Sequence, residues 1–110
     1  MADIKVNKAT RDGFSQCTLA TGTASQQFVY DTTDEKTAVI ITNSGSSAAA
    51  VTVKAGTGLR CAIGDLTISV PANSTGIVGP LDSMRFKDMT TGKVTIEISG
   101  GTTSLNVISL

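Results

Sequence analysis

Residues 65–70 read Asp-Leu-Thr-Ile-Ser-Val, and residues 93–99 read Lys-Val-Thr-Ile-Glu-Ile-Ser. In both stretches every second side chain is aliphatic and the side chains between them are polar or small. Successive side chains of a β-strand point to opposite faces, so this alternation is typical of a strand with one face on a core. Neither stretch shows the three-to-four-residue period of a helix. The two stretches therefore predict an all-β fold.

Shorter apolar segments repeat on both sides of these two strands, at intervals of about eight to thirteen residues. The further strands predicted from them lie at 26–30, 37–43, 49–55, 75–78, 84–87 and 105–110. Turn residues separate them, for example Asn-Ser-Gly-Ser-Ser at 43–47 and Pro-Ala-Asn-Ser at 71–74. The pattern predicts a single antiparallel β-sandwich of about eight strands, with a jelly-roll or an immunoglobulin-like topology.

Two of the predicted strands depart from strict alternation. Residues 38–41 read Ala-Val-Ile-Ile without interruption, which indicates a strand that is covered on both faces, either as a central strand or under a partner. Val107 and Ile108 are adjacent in the last predicted strand. Their adjacency favours either a bulge or a second covered face.

The N-terminal part of the chain has a different composition. Residues 1–24 are polar and rich in Thr, Ser and Ala, whereas residues 25–110 carry the strand pattern. A segment of this kind buries too little apolar surface to order itself, so we expect an N-terminal arm that lies against the sandwich or a partner. The alternative is a frayed terminus that adds one edge strand. The candidate contact residues of the arm, for the partner or a neighbouring subunit, are Ile4, Val6 and Phe14.

The residue types needed for catalysis and metal binding are scarce. The chain has no histidine, and its two cysteines, Cys17 and Cys61, have neither the spacing of a zinc site nor a secretory signal before them, so we expect two reduced thiols. Asp31, Asp34 and Glu35 are close in sequence, but they fall in a turn where polar residues are expected for hydration. We therefore predict that the protein is not an enzyme and has no catalytic residues, metal or cofactor.

The charge balance narrows the class of partner. Nine basic and nine acidic residues leave no net charge to attract phosphates or anionic lipid, so neither nucleic acid nor a membrane is an expected partner. Arg85 and Lys87 flank Phe86 on the predicted strand at 84–87, where their charges would discourage edge-to-edge aggregation. The start of the chain has no apolar run of the length a signal peptide needs, so we expect synthesis and retention in a cytoplasm.

Four segments combine strand and turn patterns: Val-Thr-Val-Lys-Ala-Gly at 51–56, Asp-Leu-Thr-Ile-Ser-Val-Pro-Ala-Asn-Ser at 65–74, Val-Gly-Pro-Leu-Asp-Ser-Met-Arg-Phe at 78–86 and Gly-Lys-Val-Thr-Ile-Glu-Ile-Ser at 92–99. In these segments the chain resembles the small β-sandwich head decoration proteins of tailed bacteriophages. The resemblance covers approximately residues 37–110 and leaves the arm outside it.

This resemblance implies a structural virion protein without enzymatic activity. Such a protein binds the outer surface of the major capsid protein lattice and stabilises it, often as a trimer over a local three-fold axis. We accordingly expect a homo-oligomer, with a trimer favoured, located on the virion surface after synthesis in the host cytoplasm.

The alternative is a carbohydrate-binding or host-adhesion β-sandwich module. A sugar platform needs exposed aromatic rings, and this chain has only Phe14, Phe28, Tyr30 and Phe86. The exposure of these four rings therefore discriminates between the two hypotheses.

Overall fold

The computed structural model describes residues 2–10, 13–14, 16–30 and 36–109. The described residues form ten strands, one short α-helix and one turn of 3₁₀-helix. The strands are β1 (Ala2–Asp3), β2 (Val6–Lys8), β3 (Ala20–Thr21), β4 (Ser25–Val29), β5 (Thr37–Asn43), β6 (Ala49–Val53), β7 (Leu66–Val70), β8 (Ser74–Val78), β9 (Lys93–Ser99) and β10 (Thr103–Ser109). The 3₁₀ turn is Cys61–Ile63, and α1 is Ser83–Phe86.

The strands form two packed sheets, which confirms the predicted all-β sandwich. One sheet has the order β1-β4-β9-β6-β7, and we call it the first sheet. The second sheet has the order β2-β10-β5-β8, and the two-residue strand β3 also pairs with β10. All pairs among β4 to β10 are antiparallel, whereas β1 and β2 join β4 and β10 in parallel.

The register of the second sheet follows from the alternation of buried and half-buried residues along its two long strands. β5 and β10 pair without interruption from Thr37 opposite Ser109 to Asn43 opposite Thr103. Val39 and Ile41 point into the sandwich, and a slip by one residue would turn them to the outside. The unbroken register leaves no bulge in β10, so Val107 faces the core and its neighbour Ile108 faces outward.

The core between the sheets is filled mainly by aliphatic side chains. Its buried members are Ile4, Phe28, Tyr30, Val39, Ile41, Ala49, Val51, Val53, Val70, Val78, Leu81, Phe86, Val94, Ile96, Leu105 and Val107. The two central aromatic rings come from one strand and the residue after it, and the hydroxyl of Tyr30 donates to the carbonyl oxygen of Leu81 at 2.7 Å. Every buried side-chain nitrogen and oxygen among the described residues has a hydrogen-bond partner.

The structure divides the predicted N-terminal arm into two parts. β1 and β2 extend one sheet each, and Ile4 between them lies in the core, so residues 2–8 belong to the sandwich. The described residues between Ala9 and Leu19 form no strand and are exposed. Sequence composition could not separate the two parts, because β1 and β2 are too short to show alternation.

The predicted strand at 84–87 is wrong, because the structure has α1 there. The carboxylate of Asp82 caps the helix by accepting the backbone N–H of Met84 at 2.9 Å, and Arg60 donates to the same carboxylate at 2.7 Å. Phe86 points into the core from this helix. In a four-residue helix, Met84 and Phe86 have the same spacing in sequence as two positions of a strand, which explains the error.

Candidate binding surface

The outer faces of the two sheets have different chemistry, and the face of the first sheet is polar. At its β1 edge, Asp3 accepts hydrogen bonds from Gln27 Nε2 at 2.8 Å and from Lys93 Nζ at 3.1 Å. These contacts join β1, β4 and β9 across the face: Gln27 stands directly opposite Asp3, and Lys93 reaches Asp3 from two residues before Thr95, the β9 residue opposite Gln27. The hydrogen bond from Gln27 and the ammonium of Lys93 lower the pKa of the Asp3 carboxyl.

A second ion pair lies at the other side of the same face. Asp65 accepts the backbone N–H of Ala55 at 2.7 Å and the ammonium of Lys54 at 2.8 Å. Both donors lower the pKa of Asp65, and the carboxylate in turn raises the pKa of Lys54. Glu97 lies 4.0 Å from the same ammonium. The charged groups on this face are thus paired with one another at the surface.

The outer face of the second sheet is apolar at its centre. Ile40 on β5 stands directly opposite Ile77 on β8, and Ala38 on β5 stands opposite Ile108 on β10. We call these four residues the apolar face. Ile77 is 64% exposed, and the other three are half-buried. Thr42 and Thr75 continue the face toward one end with a hydrogen bond between their hydroxyls.

The three strands that form this face, β5, β8 and β10, contain no charged residue. Residues 37–53, 66–81 and 98–110 contain no Asp, Glu, Lys or Arg. These stretches include all of β5, β6, β7, β8 and β10, so β2 is the only strand of the second sheet's four-strand path with a charged residue. Contiguous exposed apolar patches on soluble proteins mark interaction sites, and here the apolar face lies on strands that carry no charge.

The sequence signalled only part of the apolar face. The run at 38–41 predicts a strand covered on both faces, and Ile40 is the residue responsible, since it points away from the core between Val39 and Ile41. The adjacency of Val107 and Ile108 gave the same signal for β10. Ile77 went unnoticed, because an isolated isoleucine in a short strand reads equally well as a core residue.

The three predicted contact residues do not share one surface. Ile4 is 8% exposed within the core, and Val6 is half-buried against that core. Only Phe14, which is 89% exposed, is available to a partner. The Ile4 side chain is thus covered by its own domain, and the assignment of the three residues as partner contacts stays a prediction.

The four aromatic rings of the chain also differ in their exposure to solvent. Phe28, Tyr30 and Phe86 are buried, so Phe14 is the one ring on the surface. Arg85 lies over the Phe86 ring with its guanidinium carbon 4.7 Å from the centroid, on a helix rather than on an edge strand. All four rings lie among the described residues, so these residues hold no sugar platform built from several exposed rings.

A second group of exposed apolar side chains lies in the loops beside α1. Leu59 is 91% exposed, and Ile63 and Met89 are also exposed. Arg60 joins this loop to α1, since its backbone N–H donates to the carbonyl oxygen of Met84 at 2.9 Å. These loops are separated in sequence from the apolar face. The strand pattern did not predict their exposed apolar side chains.

The cysteines and carboxylates considered as catalytic or metal-binding groups form no cluster in the part of the chain that the structure describes. Cys17 and Cys61 are free thiols. No three Cys, Asp or Glu side chains among the described residues are placed to hold a metal ion. Asp31, Asp34 and Glu35 lie outside the described residues. Within residues 2–10, 13–14, 16–30 and 36–109, no helix is long and apolar enough to cross a membrane.

Comparison with known proteins gave no relative. No family model, no curated protein and no solved structure matches the chain.

Proposed function

We propose that this protein is a non-enzymatic structural protein that binds the outer surface of a phage capsid and stabilises it. The observation that supports a binding role is the contrast between the two outer faces. The first sheet presents paired charges and threonines, whereas the second presents isoleucines on charge-free strands. A free monomer gains nothing from the exposed Ile77, but a partner that covers it removes apolar surface from water.

The capsid as partner rests on the sequence resemblance to head decoration proteins. A lattice of identical subunits offers the same docking site many times. A homo-oligomer that occupies several of these sites at once binds more tightly than any single contact would. In this arrangement the polar first sheet faces solvent and the apolar face lies on the capsid.

The carbohydrate-binding alternative lacks a supporting observation. A single exposed ring, Phe14, cannot form a stacking platform, and it lies in a segment without regular structure. We therefore develop the capsid hypothesis alone.

Substitution of the apolar face tests this proposal. We expect Ile40→Glu and Ile108→Glu each to weaken co-sedimentation with empty capsids at least about tenfold, because a carboxylate at the centre of the docked face would have to be desolvated. The capsids come from a phage whose genome carries this gene. Circular dichroism and thermal unfolding establish that the variants are folded.

The matched control is Val29→Glu. Val29 is an exposed valine on the polar outer face of the first sheet, where Lys93 stands opposite in the register. We expect this variant to bind as the unmodified protein does. Binding unaffected by Ile40→Glu and Ile108→Glu, or lost equally in Val29→Glu, would refute the assignment of the docking face, and no binding by the unmodified protein would refute the function.

A further inference from the structure

The two lateral sides of the sandwich are protected to different degrees. On one side, the edge strands β1 and β2 carry or adjoin Asp3, Lys5 and Lys8. On the other side, the edge strands are β7 and β8, which contain no charged residue, and only β7 adjoins one, Asp65. Natural proteins place charges, above all lysine, on edge strands to prevent pairing with another chain. β8 lacks this protection.

Of these two strands, β8 is the more open. The two residues that precede β7 are hydrogen-bonded, because Arg85 donates to the carbonyl oxygen of Gly64 at 2.9 Å and to that of Asp65 at 3.3 Å. β8 has β5 on one edge and no strand on the other among the described residues. Its sequence, Ser-Thr-Gly-Ile-Val, has no proline that would remove a backbone donor.

A groove of about 340 Å³ runs along this side and is lined by both edge strands. Gly76 lies on this groove opposite Ile41, and a Cβ placed there would meet no atom within 4 Å. Most side chains that line the groove are apolar, and the polar ones are Ser69, Ser74 and Thr75. The groove can therefore accept an aliphatic side chain from outside.

We propose that β8 pairs with β8 of a second copy of this chain, antiparallel across a two-fold axis that passes through Ile77. In this register Ile77 stands opposite Ile77 of the second copy, and Gly76 stands opposite Val78. Each Val78 then lies beside the open space over the other copy's Gly76. The exposed Ile77 is covered by its own symmetry mate.

We assign a second copy of the chain as the partner of β8 because this edge carries no charge that would repel its own copy. An edge that carried lysine would repel its own mate, whereas an uncharged edge does not. The zero net charge of the whole chain adds no repulsion between copies. The pairing joins two second sheets into one continuous sheet and places two apolar faces side by side.

The contact area sets the strength of this dimer. The register pairs residues 76–78 of the two strands, a length of about 10 Å, and the sandwich is 21 Å across its thinnest dimension. This side is smaller than the roughly 800 Å² per partner of a standard interface. We therefore expect a dimer that forms in the micromolar range rather than a permanent one, and one that assembles in the absence of capsids.

Disulfide trapping tests the register. In a Cys17→Ser, Cys61→Ser background, we expect Ile77→Cys to form a covalent dimer on mild oxidation, because opposed residues of an antiparallel pair have Cβ atoms about 4.5–5.5 Å apart. Thr75→Cys is the matched control on the same strand and face. It would stand opposite Gly79, about 13 Å along the strand from its own equivalent, and should not crosslink. Equal crosslinking at both positions, or at neither, would overturn the register.

Sedimentation equilibrium between about 10 µM and about 1 mM tests the edge itself. We expect the unmodified protein to approach twice the monomer mass, Ile77→Lys to remain monomeric, and Val29→Lys to behave as the unmodified protein. A monomer at all concentrations, or a trimer of the kind the sequence resemblance implies, would overturn the two-fold pairing. Neither result bears on capsid binding through Ile40 and Ile108, so the two proposals can fail separately.

Discussion

Asn43, the last residue of β5, holds together one end of the sandwich through its buried amide. Its Nδ2 donates to the carbonyl oxygens of Ser47 at 2.9 Å and Val70 at 3.1 Å. Its Oδ1 accepts the backbone N–H groups of Gly45 at 3.0 Å and Thr102 at 3.2 Å. One side chain thus satisfies backbone groups of the turn after β5, the end of β7 and the turn before β10.

We expect Asn43→Ala to lower the free energy of unfolding by about 2–4 kcal/mol, because the carbonyl of Val70 loses a buried hydrogen bond and the two turns lose partly buried ones. Urea denaturation measures the change. Thr75→Ala serves as the control, since its hydroxyl bonds Thr42 at the exposed surface, and should cost less than about 0.5 kcal/mol. A loss below about 1 kcal/mol for Asn43→Ala would show that the turns hold without the amide.

The sequence did not predict that the amide of Asn43 would bond backbone groups of three segments. Asn43 opens the segment 43–47, whose composition predicts a turn, and the turn is where the structure places it. Its long-range partners Val70 and Thr102 depend on the packing of three strands that are distant along the chain. Composition indicates that a residue suits a turn, but it cannot indicate which carbonyl groups will lie within reach.

At the scale of the elements, three surface carboxylates tie neighbouring segments together. Asp3 joins β1 to β9, Asp65 joins the ends of β6 and β7, and Asp82 joins α1 to the loop of Arg60. The pKa of each is lowered, that of Asp82 first by the hydrogen bond from Arg60. A carboxyl whose pKa is lower in the folded state than in the unfolded chain stabilises the fold only while it is ionised.

We therefore expect stability to be constant from about pH 5 upward through neutral pH and to fall below about pH 4, as the three carboxyls become protonated. Lys54 adds the opposite limit, since its raised pKa gives a contribution that is lost only at strongly alkaline pH. Thermal unfolding as a function of pH measures this profile. Asp65→Asn should reduce the acid-dependent fall relative to the unmodified protein, and an unchanged slope would show that the Lys54–Asp65 pair is too solvated to matter.

The elements themselves could be predicted where a period had room to repeat. β9 has seven residues in which polar and apolar side chains alternate throughout, so its period of two is unambiguous. α1 has four residues, barely one turn, and Asp82 as its N-cap was the only signal that a helix begins there. Short elements are determined by their contacts with neighbours rather than by their own sequence.

At the scale of the whole molecule, the structure places the first strands beside the last one. β2 pairs in parallel with β10, and Val6 stands opposite Val107. Asn7 on β2 donates its amide to the side-chain oxygen of Asn106 at 2.7 Å, which fixes this long-range pairing. No local pattern predicts such a pair, because its two members are separated by nearly the entire chain.

The same placement makes the N-terminal segment part of the folding unit. We expect Ile4→Ala to lower the free energy of unfolding by about 2 kcal/mol or more, because it leaves a cavity in the core. Phe14→Ala, which removes a larger but exposed side chain, should change it by less than about 0.5 kcal/mol. Urea denaturation distinguishes the two, and equal small effects would mean that residues 2–8 contribute little to stability.

The parallel pairing of β2 with β10 also sets the order in which the chain can fold during synthesis. β2 is translated well before its partner, which is made only when residues 103–109 are translated. At about 5–20 residues per second, that interval is on the order of 5–20 s. Until it ends, β2 has no strand to pair with, and the second sheet stays open between β2 and β5.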